Sequence, residues 1–309
     1  MRILVTGASG LLGLNLSLAV MPSHMVIGVD RSKLAGVPFE LINLDLLEAG
    51  VLDRMLESVR PEWLIHCAAL ADMEACERDP AGSHALNAEL PGKLATACRK
   101  QGVKMLHIST DSVFDGTKEG FYCEEDAPNP QGVYARTKLE GEQVVLNLNP
   151  QACVVRVNFF GWSLTGRHGL AEFFVHNLNA GKPVNGFKDV YFCPLFVGDL
   201  AVVLIKMLEK NLSGLYHAVG SEVTSKYEFG REIARVFGWN ENQISPISVE
   251  DSGLKARRSH NMRLSVHRLS TALGMDIPGY STGLKQFYTQ AQQGYPQKIA
   301  SFQQVPSVS

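Results

Sequence analysis

The chain has 309 residues, 45% of them hydrophobic and 19% charged, with a formal net charge of −2. That length buries a sizeable core in one large or two unequal domains, and the near-neutral charge argues against nucleic acid as the main partner. No apolar run approaches the roughly 18 residues that span a bilayer, and the N-terminus enters a strand pattern with no signal-peptide layout.

Residues 2–6 are a short apolar run, predicted as a strand, that ends at Gly7-Ala8-Ser9-Gly10-Leu11-Leu12-Gly13 and leads into a helix pattern over 14–21. Strand, glycine turn and helix is the setting of a dinucleotide fingerprint. Gly7 allows the tight turn, Gly10 lets backbone approach a pyrophosphate, and Gly13 lets the helix pack close. Ser9, Leu11 and Leu12 share a turn at the positive end of the helix dipole.

The second strand, 25–29, ends at Asp30-Arg31. An acidic residue about 20 positions past the glycines suits a ribose diol and repels a 2′-phosphate, so the cofactor leans towards NAD. Arg31 is either a stacking or phosphate-holding cation or a solvated loop charge. A third strand, 40–44, ends at Asp45-Leu46, and the helix over 47–59 is stopped by Arg60-Pro61. The fourth strand, 63–67, runs into Ala68 and Ala69, small enough for a cofactor to lie against the backbone. His66, inside that apolar strand, reads as structural.

Asp79-Pro80 opens a helix reaching Lys100, with Asn87 inside it, and the strand 104–109 delivers Thr110 to the sheet's C-terminal edge. Five strand–helix alternations in this first part argue a parallel sheet with right-handed crossovers. Further on, 153–156 reads as a sixth strand, 200–210 as a helix and 214–220 as a short strand; Ser225 is a predicted N-cap for a helix over 227–237, with Glu228 as its capping-box partner. The six cysteines (Cys67, Cys76, Cys98, Cys123, Cys153, Cys193) lack CxxC spacing. They are expected to be reduced thiols of a cytoplasmic protein, with neither a metal site nor a disulfide framework.

Tyr134 and Lys138 stand four apart, so on a helix their side chains share a face. A lysine charge near a phenol lowers its pKa towards working pH, and the Thr110 hydroxyl completes a donor set around a substrate carbonyl. The expectation is a proton-delivery device paired with a hydride.

The blocks that carry these residues are Ser109-Thr110-Asp111-Ser112-Val113-Phe114-Asp115-Gly116, Glu124-Glu125-Asp126-Ala127-Pro128, and Tyr134-Ala135-Arg136-Thr137-Lys138-Leu139-Glu140-Gly141-Glu142. In this order they resemble the extended short-chain dehydrogenase/reductases and, among them, the dTDP-4-dehydrorhamnose reductase group. The GxxGxxG spacing of the glycine turn fits, and the likeness runs over nearly the whole chain.

The resemblance implies an α/β fold, a doubly wound Rossmann-like parallel sheet with a smaller α/β substrate-binding domain. Residues 1–160 would form the dinucleotide-binding domain, completed by about 190–220, and 161–189 with 221–309 the substrate-binding domain. It implies that Thr110 orients the substrate carbonyl, Tyr134 donates the proton, and Lys138 both tunes the tyrosine and bonds the nicotinamide ribose. Asp45 and Leu46 would border the adenine, Asn87 would support the active-site backbone, and Asn158 and Phe159 would face the substrate. Asp111 is expected either on the substrate or as a cap of the next turn, and Trp162 either shields the pocket or packs inside. Arg257, in an arginine-rich loop, is either on a diphosphate, whose oxygens a planar guanidinium meets in pairs, or a solvated surface charge.

Two positions depart from the group: Ser112 stands where it has tyrosine, and Phe159 where it has tryptophan. The sugar-facing shell is altered while the hydride-transfer set is intact. The implied function is NAD(P)H-dependent reduction of a 4-keto-6-deoxy sugar nucleotide by a homodimer. The alternatives are a nucleotide-sugar epimerase or dehydratase of the same superfamily, or a non-catalytic dinucleotide-binding regulatory subunit.

Overall fold

Short runs that are mostly apolar, without strict alternation, suit strands covered on both faces. In the computed structural model, which describes residues 1–252 and 259–303, those runs form the central sheet. Its strands are β1 (Arg2–Thr6), β2 (Met25–Asp30), β3 (Glu40–Asn43), β4 (Trp63–His66), β5 (Lys104–Thr110), β6 (Cys153–Val157) and β7 (Gly214–Ala218). The seven pair in the order β7-β6-β5-β4-β1-β2-β3, every pair parallel. The order reverses between β1 and β4, and in open α/β sheets a crevice opens at the strand ends beside such a reversal.

Alternate residues of each strand point to opposite faces. Leu4, Ile27, Leu64, Met105 and Val154 pack on one face with helices α2 (Val51–Val59) and α3 (Leu90–Gln101). Ile3, Val5, Ile65, Leu106 and Val155 pack on the other with helix α1 (Leu11–Val20) and with Leu200 and Leu204 of the helix Val197–Glu209. This second cluster continues without a break into Phe174, Phe229, Leu284, Phe287 and Ile299. The chain's later part therefore rests on the same apolar layer as its first helix. The Tyr295 hydroxyl donates to Asn15 Oδ1 at 2.9 Å, and Ala35 N donates to Phe302 O at 2.9 Å.

Local differences from the expected elements have physical reasons. Helix α1 starts at Leu11, not at 14, because Gly13 is already helical and lies against the turn. The long helix expected from Pro80 is a succession: Pro80–His84, a π-turn over Ala85–Glu89, then α3. Pro91 has no N–H to donate to the Asn87 carbonyl four residues back, and the backbone widens there. Ser225 does cap the helix Lys226–Phe237, accepting from Glu228 N at 3.0 Å, while the Glu228 carboxylate pairs with Arg231 at 3.4 Å.

Candidate active site

The glycine turn lies at the reversal point. Gly7 has φ +69, and a Cβ there would sit 2.6 Å from Ala68 N; a Cβ on Gly13 would sit 2.1 Å from Gly7 O. Only glycine lets the turn press on the end of β4 and α1 press on the turn. The Asp30 carboxylate pins both sides of the resulting hollow: Oδ2 accepts from Ser9 N at 2.9 Å and Oδ1 from Ser32 N at 2.8 Å.

An open cleft of about 240 Å³ follows, lined by Gly7, Ser9, Gly10, Asp30, Arg31, Asp45, Leu46, Ala68 and Ala69, together with Ser32, Cys67 and Leu86. Leu11, Leu12 and Gly13 form the first turn of α1 beside it, and the Leu12 side chain enters the apolar core. A glycine turn, a helix start, the Asp30 carboxylate and small residues under the floor fit a nicotinamide dinucleotide. Asn87 braces that floor: its Oδ1 accepts from Leu70 N at 2.9 Å, and its Nδ2 donates to Leu70 O at 3.0 Å and to Thr137 Oγ1 at 3.2 Å.

Beyond the cleft, β5 ends in Thr110, and helix α4 (Val133–Leu148) carries Tyr134 and Lys138 on the face turned to β5. Tyr134 is half-buried and Lys138 buried. Lys138 Nζ donates to Ile108 O at 2.7 Å. Burial pulls the Lys138 ammonium down to about 8, opposed by Glu142. The expectation that Lys138 lowers the Tyr134 pKa is not met. Burial pushes the phenol up to about 12, opposed by a hydrogen bond with the Thr110 hydroxyl and reinforced by the Asp111 charge. The reason is directional: the ammonium is committed to a strand carbonyl, and desolvation of the phenolate dominates. Tyr134 therefore keeps its proton at neutral pH, the state a proton donor needs.

Thr110 caps the short turn Asp111–Val113, its Oγ1 accepting from Ser112 N at 3.1 Å. The cap is thus Thr110, and Asp111 is released towards the pocket. Asn158 Nδ2 donates to Asp111 Oδ2 at 2.5 Å, and Thr110 Oγ1 donates to Oδ1 at 3.2 Å. Burial raises the Asp111 pKa, opposed by Asn158, Thr110, Lys226 and Ser112.

Asp111, Ser112 and Asn158 line a second cleft of about 120 Å³ with Met73, Gln131, Phe192, Lys226 and Met262. Phe159 is half-buried and packs against the core instead of lining this cleft. Trp162 is interior, stacked on Phe287 with its Nε1 donating to Phe287 O at 3.1 Å. Arg257 lies outside the described residues.

Sequence reasoning missed Lys226. Its signal was available: a lysine in a helix's first turn works against the helix dipole, so it needs a reason from elsewhere, and here the reason is Asp111. Met73, Gln131, Phe192 and Met262 carry no such local mark.

Among the described residues no group of three or more His, Cys, Asp or Glu side chains forms a metal site, and no helix is long and apolar enough to cross a membrane. All six cysteines are free thiols.

The family described as RmlD substrate binding domain matches residues 1–293. The chain is 32% identical over 280 residues to a dTDP-4-dehydrorhamnose reductase of Mycobacterium tuberculosis, covering 88% of this chain and 87% of the relative. It is 30% identical over 293 residues to methionine adenosyltransferase 2 subunit beta of Bos taurus, covering 92% of this chain and 86% of the relative. Among solved structures, the dTDP-4-dehydrorhamnose reductase of Bacillus anthracis in complex with NADP superposes with a TM-score of 0.85 at 25% identity, over 94% of this chain and 99% of the other. The Rossmann-like sheet, the glycine cleft and these matches agree: the chain belongs to the RmlD substrate-binding-domain family of extended short-chain dehydrogenase/reductases.

Proposed function

We propose that the protein is an NAD(P)H-dependent oxidoreductase that reduces the 4-keto group of a 6-deoxy sugar nucleotide. One observation carries this reading: the Tyr134 phenol, the Thr110 hydroxyl and the Asp111–Asn158 pair gather at the end of β5, where Asp111 and Asn158 line the second cleft, in a chain whose glycine turn lines the first. A nicotinamide held in the first cleft supplies the hydride. Tyr134 passes its proton to the carbonyl oxygen, and the Thr110 hydroxyl, turned from Asp111 to the substrate, donates a hydrogen bond to the same oxygen as charge develops on it. Lys138 holds the ribose side and keeps α4 seated on β5. Asp111, Asn158 and Lys226 orient the sugar. In this reading 161–189 and 221–309 make up the substrate-binding domain beside 1–160.

The dinucleotide preference leans to NAD, because Asp30 sits where a ribose diol is held. The functional unit is read as a homodimer from the family resemblance, and the cytoplasm as its compartment from the free thiols. The test is oxidation of NADH and of NADPH against a panel of 4-keto sugar nucleotides, with Tyr134→Phe as control. Turnover by wild type alone supports the reading; net recycling of cofactor with an epimerised or dehydrated product replaces it with the related isomerase or lyase.

A second reading has one observation behind it, the 30% identity to a protein named as a subunit of methionine adenosyltransferase. In that reading the chain binds dinucleotide and a partner enzyme. A stoichiometric partner together with no turnover on any sugar nucleotide would decide for it.

A further inference from the structure

Three consecutive residues of β5 are each held from α4. Tyr134 meets the Thr110 hydroxyl, Lys138 Nζ donates to Ile108 O at 2.7 Å, and Ser109 Oγ donates to Glu142 Oε1 at 2.5 Å. Tyr134, Lys138 and Glu142 follow one another by four residues, one turn apart on a single helix face. The first two have roles in the proposed reaction; the third does not.

Glu142 is also not an ordinary helix carboxylate. It is 2% exposed and gripped in fork geometry by the equally buried Arg156, with Nε to Oε1 at 3.0 Å and Nη2 to Oε2 at 2.8 Å. Arg156 lies over the Phe114 ring at 4.9 Å, and its Nη1 is 3.4 Å from His217 Nε2. Ser109, Arg156 and His217 stand side by side across β5, β6 and β7. A buried ion pair contributes little to net stability, since apolar residues of the same volume do as well or better. Its presence one turn from Lys138 calls for a different reason.

We propose that Glu142, held by Arg156 and Ser109, is a positioning residue for the Lys138–Tyr134 pair: it keeps the buried Lys138 ammonium charged and seated on the Ile108 carbonyl. The inference rests on the reading of Tyr134 and Lys138 as reacting residues. The groups that face Lys138 from other elements cannot do the same work. His66 and Cys67 at the end of β4 and His107 on β5 are kept neutral by burial, the imidazoles down and the thiol up. Glu142 is the carboxylate that favours the charged lysine against its own burial.

Glu142→Gln removes that charge and leaves the hydrogen-bonding shape. The lysine then loses its proton at lower pH, so the alkaline limb of the kcat profile moves to lower pH, by on the order of one pH unit for a carboxylate one helical turn away. Because this variant strands the Arg156 guanidinium, whose charge itself disfavours the ammonium, the double variant Glu142→Gln/Arg156→Gln is measured beside it and is expected to show a smaller displacement in the same direction. Ser109→Ala keeps the charge and loosens the seat, so kcat falls with the limb unmoved.

A limb that stays at the wild-type pH in both variants, with activity lost only in proportion to folded protein, overturns the proposal. Should wild type show no turnover on any keto-sugar nucleotide, the proposed reaction fails separately. The displacement is then read in the pH dependence of NADPH affinity, measured by nucleotide fluorescence. An unshifted affinity profile there overturns the proposal as well.

Discussion

The ammonium of Lys138 lies 2.7 Å from the carbonyl oxygen of Ile108, which ties the helix carrying Tyr134 directly to the strand carrying Thr110. The tyrosine is left as a protonated phenol. Tyr134→Phe keeps the ring and the helix seat but removes that proton. Turnover with a keto-sugar nucleotide should fall about 10²–10⁴-fold, the usual worth of a positioned acid, while NADPH affinity by fluorescence titration changes little. Full activity in this variant would remove Tyr134 as the acid.

Asp30 accepts from Ser9 N and Ser32 N inside the first cleft. Asp30→Ala should weaken NADH binding by about tenfold, the loss of a charge-assisted hydrogen bond, and narrow any preference over NADPH. Steady-state KM values for both cofactors check this; an unchanged ratio would take away the lean to NAD.

Gly13 has no room for a side chain, since a Cβ would stand 2.1 Å from Gly7 O. Gly13→Ala should force α1 away from the turn at a cost of about 1–3 kcal/mol. Urea unfolding should show that loss, and dinucleotide affinity should drop with it because the turn that Ser9 and Gly10 occupy is displaced. Retained affinity at reduced stability would mean that the turn re-forms around the methyl.

His66, His107 and His217 are buried neutral, with His66 and His217 pulled down to about 3 by burial. Their folded pKa lies below the unfolded value near 6.5, so below that pH the unfolded chain binds more protons. Stability is therefore lost as pH falls from about 6.5 towards 3, at about 1.4 kcal/mol per histidine per pH unit. Among the described residues neither ring nitrogen of His107 has a hydrogen-bond partner. His107→Phe should flatten this acid dependence, read as urea midpoints at pH 7 and pH 5; an equally steep fall in the variant would shift the cause to other groups.

What could be read from the sequence was what neighbouring residues decide among themselves. The strand runs, the Gly7–Gly13 turn, the Asp30 end of β2 and the Ser225 cap all stand where their local chemistry puts them. The Tyr134–Lys138 spacing gave their shared face, but not the direction of the ammonium, which depends on a carbonyl thirty residues upstream. For the same reason Lys226 escaped notice beside Asp111, and Met73, Phe192 and Met262 could not be assigned to one cleft. Their meeting is set by how the segments around Phe192, Lys226 and Met262 return to the end of β5. Phe159 shows the converse: placed by resemblance at the substrate, it is half-buried and packs against the core, on a short strand paired with Leu195.

The apolar face that Ile3, Leu12 and Leu16 share with Leu284, Phe287 and Ile299 imposes an order on biosynthesis. The first strand and helix leave the ribosome long before the last segments of the cluster they belong to. At about 5–20 residues per second, roughly 15–60 s pass before residue 287 is made. During that interval a nascent chain with a complete glycine turn still shows an uncovered greasy surface, which makes it a client for holding chaperones. A message cut short before the last helices would yield an aggregating fragment, not a freestanding nucleotide-binding half.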